Sequence, residues 1–229
     1  MSKKKLVVLT GAGISAESGL KTFRDSGGLW EGFDVYEVAT PRGFAKNPQL
    51  VLDFYNMRRK DVAAAQPNDA HKILAELETY FDVEIITQII DDLHERGGST
   101  KVLHLHGEIF KMRSLNNDSI NYEIRDDIIL GDVAPDGAQL RPDIVWFEEA
   151  VPKLEEAVEM VRMADFFAVI GTSLLVYPAA GLVNYAPWPI PKFIIDKTIP
   201  YTQSLYNLTV IEKSAGEGVR DFKNMLLSE

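Results

Sequence analysis

A glycine-containing segment near the start of the chain, TGAGISAESG at residues 10–19, follows the apolar run Leu6–Leu9 and has the residue types of a phosphate-binding turn. Gly11, Gly13 and Ala16 satisfy the dinucleotide-binding pattern G-x-G-x-x-A. In that pattern the first glycine permits a tight turn, the second lets the backbone approach phosphate, and the third position lets a helix pack closely. The pattern alone is weak, so a strand-to-helix turn without a ligand stays open.

If the turn binds a dinucleotide, the residues after it decide between hydride transfer and cleavage of the dinucleotide. A dehydrogenase should return within about 20 residues to a second strand that ends in an acidic residue for the ribose hydroxyls. Here the chain continues into TFRDSGGLW, residues 22–30. Hydride transfer is therefore disfavoured. Thr22, Phe23 and Arg24 are predicted to belong to a mobile loop that closes over the ligand, with Arg24 available to a phosphate.

Two histidines, His104 and His106, stand two residues apart at the end of a predicted strand, so their side chains share a face. A metal site that also uses Glu108 is disfavoured, because the chain offers no cysteine and no further histidine after His106. His104 suits an ordinary strand histidine with one satisfied hydrogen bond. His106 precedes Gly107, where the strand leaves the sheet, and an imidazole with a pKa near neutrality at this edge is predicted to be a general base.

A carboxylate is predicted at the same edge, because the segment Thr87–Asp91 ends another predicted strand. Asp91 could cap the helix that follows it, or it could contact a ligand. One carboxylate can do both, and the two roles stay open.

Short apolar runs alternate with helix-like stretches along the chain, which predicts an α/β fold with a parallel sheet and helices on both faces. The predicted strands are Leu6–Leu9, Val83–Thr87, Val102–Leu105, Ile144–Phe147, Phe166–Ile170, Phe193–Ile195 and Leu208–Ile211. The predicted helices are Pro48–Ala65, Asn68–Tyr80, Val151–Met163, Pro178–Tyr185 and Gly216–Leu227.

Two stretches interrupt the alternation and are predicted to form a second, smaller lobe. Residues 25–80 contain turns and two of the helices, and residues 111–140 are polar, with weak strand candidates at Ile120–Ile124 and Asp127–Leu130. The sequence thus predicts a Rossmann-like domain of residues 1–24, 81–110 and 141–229, into which 25–80 and 111–140 are inserted. A ligand cleft is expected between the lobes, at the carboxyl ends of the strands.

Composition narrows the choice of partners. The 229 residues are 46% hydrophobic, which is ample for a core, and the net charge of −10 argues against a protein that mainly binds nucleic acid or anionic membranes. The absence of cysteine excludes disulfides, thiolate chemistry and zinc sites built on cysteine. The apolar part of the opening MSKKKLVVLT is too short for a signal peptide, so a cytoplasmic protein is expected. The protein is also expected to be a monomer.

Taken together and in this order, the segments TGAGISAESGLKTFR, TQIIDDLHER, LHLHGE, RPDIVWF and GTSLLVYPAAGL resemble the motifs of the sirtuins, NAD-dependent protein-lysine deacylases. The resemblance is to the bacterial type and covers nearly the whole chain, with residues 111–140 departing most. It implies a Rossmann-like domain with a small inserted lobe. It also implies that NAD is consumed as a co-substrate, that acyl-lysine proteins or peptides are the partners, and that free lysine, nicotinamide and O-acyl-ADP-ribose are the products.

The resemblance also implies roles for individual residues, with His106 as the catalytic base that takes a proton from a ribose hydroxyl. The residues that match NAD-binding positions are Gly11, Ala12, Gly13, Ile14, Ala16, Glu17, Thr22, Phe23, Arg24, Trp30, Gln88, Ile89, Ile90, Asp91, Gly171, Thr172, Ser173, Asp196 and Ala215. The residues that match peptide-binding positions are Val145, Trp146, Phe147, Leu174, Val176 and Tyr177. The peptide is expected to add as a strand between these two segments.

Tyr55 and Arg58 are three residues apart in a predicted helix and therefore share a face. From spacing alone, a solvated basic face is the simpler interpretation. Sirtuins that remove succinyl, malonyl and glutaryl groups have a tyrosine and an arginine at this spacing in this helix. The resemblance to that branch implies that Tyr55 and Arg58 bind an acyl carboxylate, so that desuccinylation or demalonylation outruns deacetylation.

Three departures from the family pattern bear on activity. Most sirtuins hold the small lobe with four zinc-binding cysteines, and this chain has none, so no zinc is expected. Ile89 stands where the family has asparagine in the nicotinamide region, and Glu148 stands where it has glycine beside the peptide groove. A catalytically impaired, NAD-binding regulatory module is therefore the alternative to an active enzyme.

Overall fold

The computed structural model of the chain describes residues 2–21, 29–30, 32–200 and 205–228. The predicted loop residues Thr22, Phe23 and Arg24 lie outside the described residues. Within the described ranges, a parallel sheet and a smaller antiparallel sheet are covered by helices. None of the helices in these ranges is long and apolar enough to cross a membrane.

The bounds of the elements are as follows. The strands are β1 (Lys5–Thr10), β2 (Leu29–Trp30), β3 (Phe33–Asp34), β4 (Asp82–Thr87), β5 (Val102–His104), β6 (Gly107–Ser114), β7 (Asn121–Glu123), β8 (Leu140–Ile144), β9 (Phe166–Ile170), β10 (Lys192–Ile195) and β11 (Leu208–Ile211). The α-helices are α1 (Val35–Val38), α2 (Pro41–Lys46), α3 (Pro48–Ala64), α4 (Asp69–Leu77), α5 (Leu93–Gly97), α6 (Leu154–Arg162) and α7 (Ala215–Ser228). Short 3-10 helices lie at Ala12–Ile14, Ala16–Ser18 and Ala179–Tyr185.

The parallel sheet has six strands among the described residues, in the order β11-β10-β9-β1-β4-β5. The chain builds from β1 through β4 to β5, then crosses to the other side of β1 and continues with β9, β10 and β11. The strand order therefore reverses between β1 and β9. In α/β sheets this is where a ligand crevice forms, at the carboxyl ends of the strands. The predicted Rossmann-like α/β fold is confirmed.

Apolar layers cover both faces of the parallel sheet, because successive side chains of each strand point to opposite faces. On one face Leu6 packs in a cluster with Leu74 of α4 and Phe222 of α7. On the other face Val7 belongs to a cluster with Val161 of α6. Each such buried side chain contributes about 1.5–3 kcal/mol, so both layers fix β1 and the glycine turn that follows it.

A third apolar cluster holds the smaller lobe, in which α3 packs against the antiparallel sheet β7-β6-β8, and α1 and α2 pack against α3. Helix α3 begins where the side chain of Asn47 accepts the amide of Leu50 and Pro48 fills the first turn, where its missing N–H has no helical partner to lose. Its Arg59 then donates from Nε to the carbonyl of Ile109 at 2.9 Å. Helix and sheet are thus joined by polar as well as apolar contacts.

Two strand predictions are wrong. Ile144 ends β8 of the antiparallel sheet, and residues 145–147 continue outside any strand. Apolar content misled the prediction, because Ile144 and Trp146 are buried against the smaller lobe and not in the parallel sheet. Residues 127–130 are irregular, whereas the candidate Ile120–Ile124 contains β7.

The division into domains stays a prediction, and the packing favours moving two of its boundaries. Helix α4 falls in the predicted insertion 25–80, yet it packs against α7 and joins the apolar layer of the parallel sheet. Strands β6 and β8 pair with each other in the antiparallel sheet, although Gly107 and Ile144 fall in the predicted Rossmann-like segments.

Candidate active site

A cleft of about 580 Å³ lies at the carboxyl ends of the parallel strands, with walls from both lobes. The predicted site residues that line it are Gly11, Ala12, Gly13, Ala16, Glu17, Trp30, Tyr55, Arg58, Gln88, Ile89, Ile90, Asp91, His106, Val145, Trp146, Phe147, Gly171, Thr172, Ser173, Val176, Tyr177, Asp196 and Ala215. Two of the predicted residues within the described ranges do not line it. Ile14 is buried in the core of the sheet, and Leu174 packs against the apolar layer on the opposite face.

The glycine turn after β1 packs against the turn after β9. The amide of Gly13 donates to the carbonyl of Gly171 at 2.8 Å, and a Cβ on Gly13 would lie 2.7 Å from Cα of Gly171. Gly171 itself has φ +65°, and a Cβ there would lie 2.4 Å from the amide nitrogen of Ile14. Contact between two backbone turns therefore requires these glycines, in addition to any approach by phosphate.

His106 lines the cleft just beyond β5. Its Nδ1 lies 3.0 Å from the carbonyl oxygen of Gln88, and because a carbonyl only accepts, Nδ1 carries the proton. Nε2 of the neutral ring is then left as a proton acceptor. Burial lowers the pKa of His106 more than the bond to Gln88 raises it. The ring is thus neutral near pH 7, as a general base requires.

Asp91 is buried in the loop between β4 and α5. Oδ1 accepts from the amide of Leu93 at 3.1 Å, and Oδ2 accepts from the hydroxyl of Ser15 at 2.9 Å. Burial raises the pKa of Asp91 to about 6, although both hydrogen bonds favour the ionised form. Asp91 therefore supports the start of α5 and also lines the cleft, so the structure is compatible with both predicted roles.

Tyr55 lies on the cleft-facing side of α3 and is fully buried. Its hydroxyl oxygen accepts a hydrogen bond of 3.1 Å from Nε1 of Trp146. Burial raises the pKa of this hydroxyl above its usual range, so it keeps its proton at physiological pH. Since an indole N–H only donates, the proton of Tyr55 is directed to another acceptor.

Arg58 lies one turn further along α3 and is only 5% exposed. Its guanidinium is 3.7 Å from a carboxylate oxygen of Asp61 and 5.5 Å from the ring centre of Trp30. The solvated basic face that spacing alone suggested is therefore wrong, because Tyr55 and Arg58 are both buried. This wall of the cleft presents a hydroxyl donor and a guanidinium, a combination that suits a carboxylate.

The turn after Trp146 explains how the chain tolerates Glu148, the departure from the family pattern beside the predicted peptide groove. Glu148 has φ +72°, in the left-handed region that favours glycine, and its side chain forms an exposed ion pair of 3.1 Å with Arg42. Glu149 accepts the amide of Trp146 at 2.7 Å and pairs with the buried Arg141 at 2.7 Å. Glu149 thus holds the turn, and Glu148 is accommodated at a backbone cost of roughly 1–2 kcal/mol.

The backbone amides of residues 145–147 all donate within the chain. Val145 donates to the carbonyl of His106 at 2.9 Å and Phe147 to that of Ala39 at 3.0 Å, while the amide of Trp146 has the carboxylate bond described above. In this conformation, a peptide that adds as a strand beside this segment can therefore bond only to the carbonyl oxygens of residues 145–147, through the amides of the peptide. The peptide strand stays a prediction.

The sequence reasoning missed several other residues that line the cleft, and the polar ones among them include Ser15, Lys21, Lys197 and Thr198. Lys197 and Thr198 directly follow Asp196 after β10, so their place at the carboxyl edge of the sheet could have identified them. Ser15 lies inside the glycine segment, but its bond to Asp91 joins residues far apart in the sequence. Backbone turns, lysines and hydroxyls at one end of the cleft fit the phosphates and ribose of a dinucleotide.

Comparison with known proteins agrees with this geometry. The model of the Sir2 family matches residues 11–178 of the chain. A protein of Helicobacter pylori named NAD-dependent protein deacylase is 52% identical over 224 residues, which are 98% of each chain. The fold is similar to that of a mutant Sir2 homologue in complex with ADP ribose, with a TM-score of 0.87, 37% identity and coverage of 99% of this chain and 95% of that one. A Sir2 homologue in complex with NAD gives a TM-score of 0.84 at 37% identity, covering 98% of this chain and 91% of that one. On the likeness of both sequence and fold over nearly its full length, the chain belongs to the Sir2 family.

Proposed function

We propose that this Sir2-family enzyme is an NAD-dependent protein deacylase that removes succinyl and malonyl groups from lysine side chains faster than acetyl groups. NAD-dependent deacylation is the activity for which relatives at 50–52% identity over 98% of the chain are named. The preference for acidic acyl groups is the finer part of the proposal. The observation that carries it is the pairing of Tyr55 and Arg58 on one buried wall of the cleft.

The residues of the chain divide the work along the cleft. The glycine turn and the residues after β10 bind the phosphates and the adenosine end of NAD. The loop of residues 88–91, called the nicotinamide loop below, closes around the nicotinamide end and keeps water from the reacting carbon. Bound NAD would supply a glycosidic bond whose cleavage releases nicotinamide, and with one water consumed the acyl group passes from the lysine nitrogen to a ribose hydroxyl, leaving free lysine and O-acyl-ADP-ribose.

His106 performs the proton transfer in this proposal. Its Nδ1 donates to the carbonyl of Gln88, which holds the ring, and Nε2 takes a proton from a ribose hydroxyl. The hydroxyl oxygen can then bond the acyl carbon, whose bond to the lysine nitrogen is broken in the transfer. Burial keeps the ring neutral before this step, so the base is available at physiological pH.

The acyl pocket favours a carboxylate for an energetic reason. Arg58 is already buried in the absence of substrate. An acyl carboxylate beside it therefore gains a charge-assisted contact without the cost of desolvating an exposed guanidinium. Such a bond contributes about 1.5–3 kcal/mol, or roughly 10- to 100-fold in kcat/KM over a neutral acetyl group. Tyr55 adds a second donor, whose orientation is set by Trp146.

Incubation with NAD and a succinyl-lysine peptide, with nicotinamide as the readout, tests the proposal. We expect release of nicotinamide that depends on the peptide. Binding of NAD without release would support the second candidate, an NAD-sensing module impaired by Ile89, which lines the cleft within the nicotinamide loop. Appearance of reduced nicotinamide cofactor would instead indicate a dehydrogenase.

The enzyme is also proposed to work without zinc, because the chain has no cysteine and the described residues contain no group of three or more metal-binding side chains. Its smaller lobe is held by the apolar cluster around α3 and β6 instead. The assignments to a monomer and to the cytoplasm stay predictions.

A further inference from the structure

His104, the last residue of β5, lies two residues before the proposed base and is almost completely buried. Both of its ring nitrogens have an acceptor within hydrogen-bond distance. Nδ1 is 3.2 Å from the carbonyl oxygen of Ile89, and Nε2 is 2.7 Å from a carboxylate oxygen of Glu95. A carbonyl and an ionised carboxylate only accept, and a neutral imidazole has one N–H. Only the imidazolium form can therefore satisfy both partners.

The charges around His104 support this protonation state. Burial works against the charge, but the hydrogen bond and the charge of Glu95 outweigh it and raise the pKa of His104, with a smaller contribution from Glu108. The same hydrogen bond lowers the pKa of Glu95, against the effect of its own burial. The other groups that interact electrostatically with the ring are Asp91, an acid, and His94, whose pKa is lowered by burial.

His104 and His106 thus hold two successive carbonyl groups of the nicotinamide loop. His106 donates to the carbonyl of Gln88, and His104 donates to that of Ile89. Both of these loop residues line the cleft, whereas His104 and Glu95 do not. Any effect of His104 on the reaction is therefore indirect and acts through the position of the loop.

We propose that His104 is a positioning residue of the nicotinamide pocket, held as an imidazolium by Glu95, and that its donation to the carbonyl of Ile89 fixes the loop against nicotinamide. This inference rests on the proposed function, which assigns the nicotinamide end of the substrate to this loop. It differs from the sequence-based interpretation of His104 as a strand histidine with a single hydrogen bond, because the second bond requires a charge.

Glu95→Gln tests the inference with little risk to folding, since the side chain of Glu95 is 41% exposed. The charge that stabilises the imidazolium is gone, and the glutamine amide can turn to donate to Nε2 of a neutral ring, which leaves Nδ1–H for the carbonyl of Ile89. By NMR, both ring nitrogens of His104 should be protonated at neutral pH in the parent, and the titration midpoint should fall in the variant. His104→Leu removes both donors, so inhibition by added nicotinamide should weaken by about threefold to tenfold in that variant, the usual scale of one hydrogen bond, while KM for the acyl peptide stays within about twofold.

The pH profile and a matched control complete the test. Inhibition by nicotinamide in the parent should weaken as pH rises through the titration of His104, because the neutral ring beside ionised Glu95 has one donor for two acceptors, and in Glu95→Gln this pH dependence should be lost. Glu108→Gln removes a charge of the same sign without a bond to His104, so its effect should be smaller on both readouts. A neutral His104 in the parent would overturn the inference, as would nicotinamide inhibition that is unchanged in His104→Leu. A parent that neither releases nor binds nicotinamide would instead refute the proposed function, and the inference with it.

Discussion

Nδ1 of His106 donates a hydrogen bond of 3.0 Å to the carbonyl oxygen of Gln88. The bond joins the segment after β5 to the nicotinamide loop, so the chain that holds the proposed base also shapes the proposed nicotinamide pocket. It fixes the tautomer of the ring, and Nε2 is the nitrogen left to accept a proton.

His106→Ala should reduce deacylation by roughly 100-fold or more, the usual scale for a lost general base, because no other described side chain in the cleft has an imidazole. Binding of NAD should stay within about twofold by calorimetry, since the glycine turn is untouched. Because burial lowers the pKa of His106, the acid limb of kcat/KM in the parent should lie below the ordinary range of histidine. A variant that turns over at near the parental rate would show that the base has been assigned wrongly.

Ile89→Asn should raise turnover by up to roughly tenfold if the branched side chain replaces a useful amide in the nicotinamide pocket. Ile89→Ala is the control, because it removes the branched hydrocarbon without adding a hydrogen-bonding group. Steady-state kcat on a succinyl peptide measures both. Equal gains in the two variants would mean that bulk, and not a missing hydrogen bond, limits the parent.

Features that depend on neighbouring residues in the sequence were predicted correctly, whereas features that depend on contacts between distant residues were not. The strand ends that carry Gly11, Gln88 and Gly171 were predicted, because a short apolar run and its turn are encoded by neighbouring residues. The second partner of His104 was not, since Glu95 reaches it only when α5 folds back beside β5. The segment 144–147 was mistaken for a strand of the parallel sheet because its burial comes from the other lobe.

Asp91→Asn should stabilise the protein at neutral and alkaline pH. The pKa of Asp91 is raised from 3.8 to about 6, so the folded chain holds this proton more tightly than the unfolded chain does. Below pH 3.8 the carboxyl group is protonated in both states, and Asp91 does not destabilise the folded chain. The destabilisation grows between pH 3.8 and about 6, and it reaches about 3 kcal/mol above pH 6.

Urea unfolding of Asp91→Asn should show a gain of about 1–3 kcal/mol at pH 8 that disappears near pH 4, because the hydroxyl of Ser15 can accept from the new amide. Asp92→Asn, a neighbour whose carboxylate bonds Arg96 at 2.8 Å, serves as the control and should give no such gain. An Asp91→Asn variant that is less stable than the parent at pH 8 would show that the two accepted hydrogen bonds outweigh burial.

Glu148→Gly should be neutral or stabilising by up to about 1 kcal/mol, since glycine relieves the left-handed backbone at φ +72° but makes the unfolded chain more flexible. The exposed ion pair with Arg42 that is lost contributes little. Glu149→Gln is the matched contrast and should cost about 3 kcal/mol, because Arg141 is buried and would lose the charge of its partner. Chemical denaturation of both variants measures this. A clear loss of stability in Glu148→Gly would show that the side chain of Glu148 stabilises the fold by more than the exposed ion pair with Arg42 accounts for.

The central claim is that Tyr55 and Arg58 select an acyl carboxylate, and Arg58→Met tests it most directly. Methionine keeps much of the bulk against Trp30 and removes the guanidinium. Lys60→Met removes an exposed positive charge from the same helix and is the matched control. The measurement is kcat/KM on succinyl and acetyl peptides of the same sequence, for the parent and both variants. We predict a parent that prefers succinyl, a loss of roughly 10- to 100-fold on the succinyl peptide alone in Arg58→Met, and little change in Lys60→Met. An acetyl preference in the parent, or an equal loss on both peptides in Arg58→Met, would contradict the account.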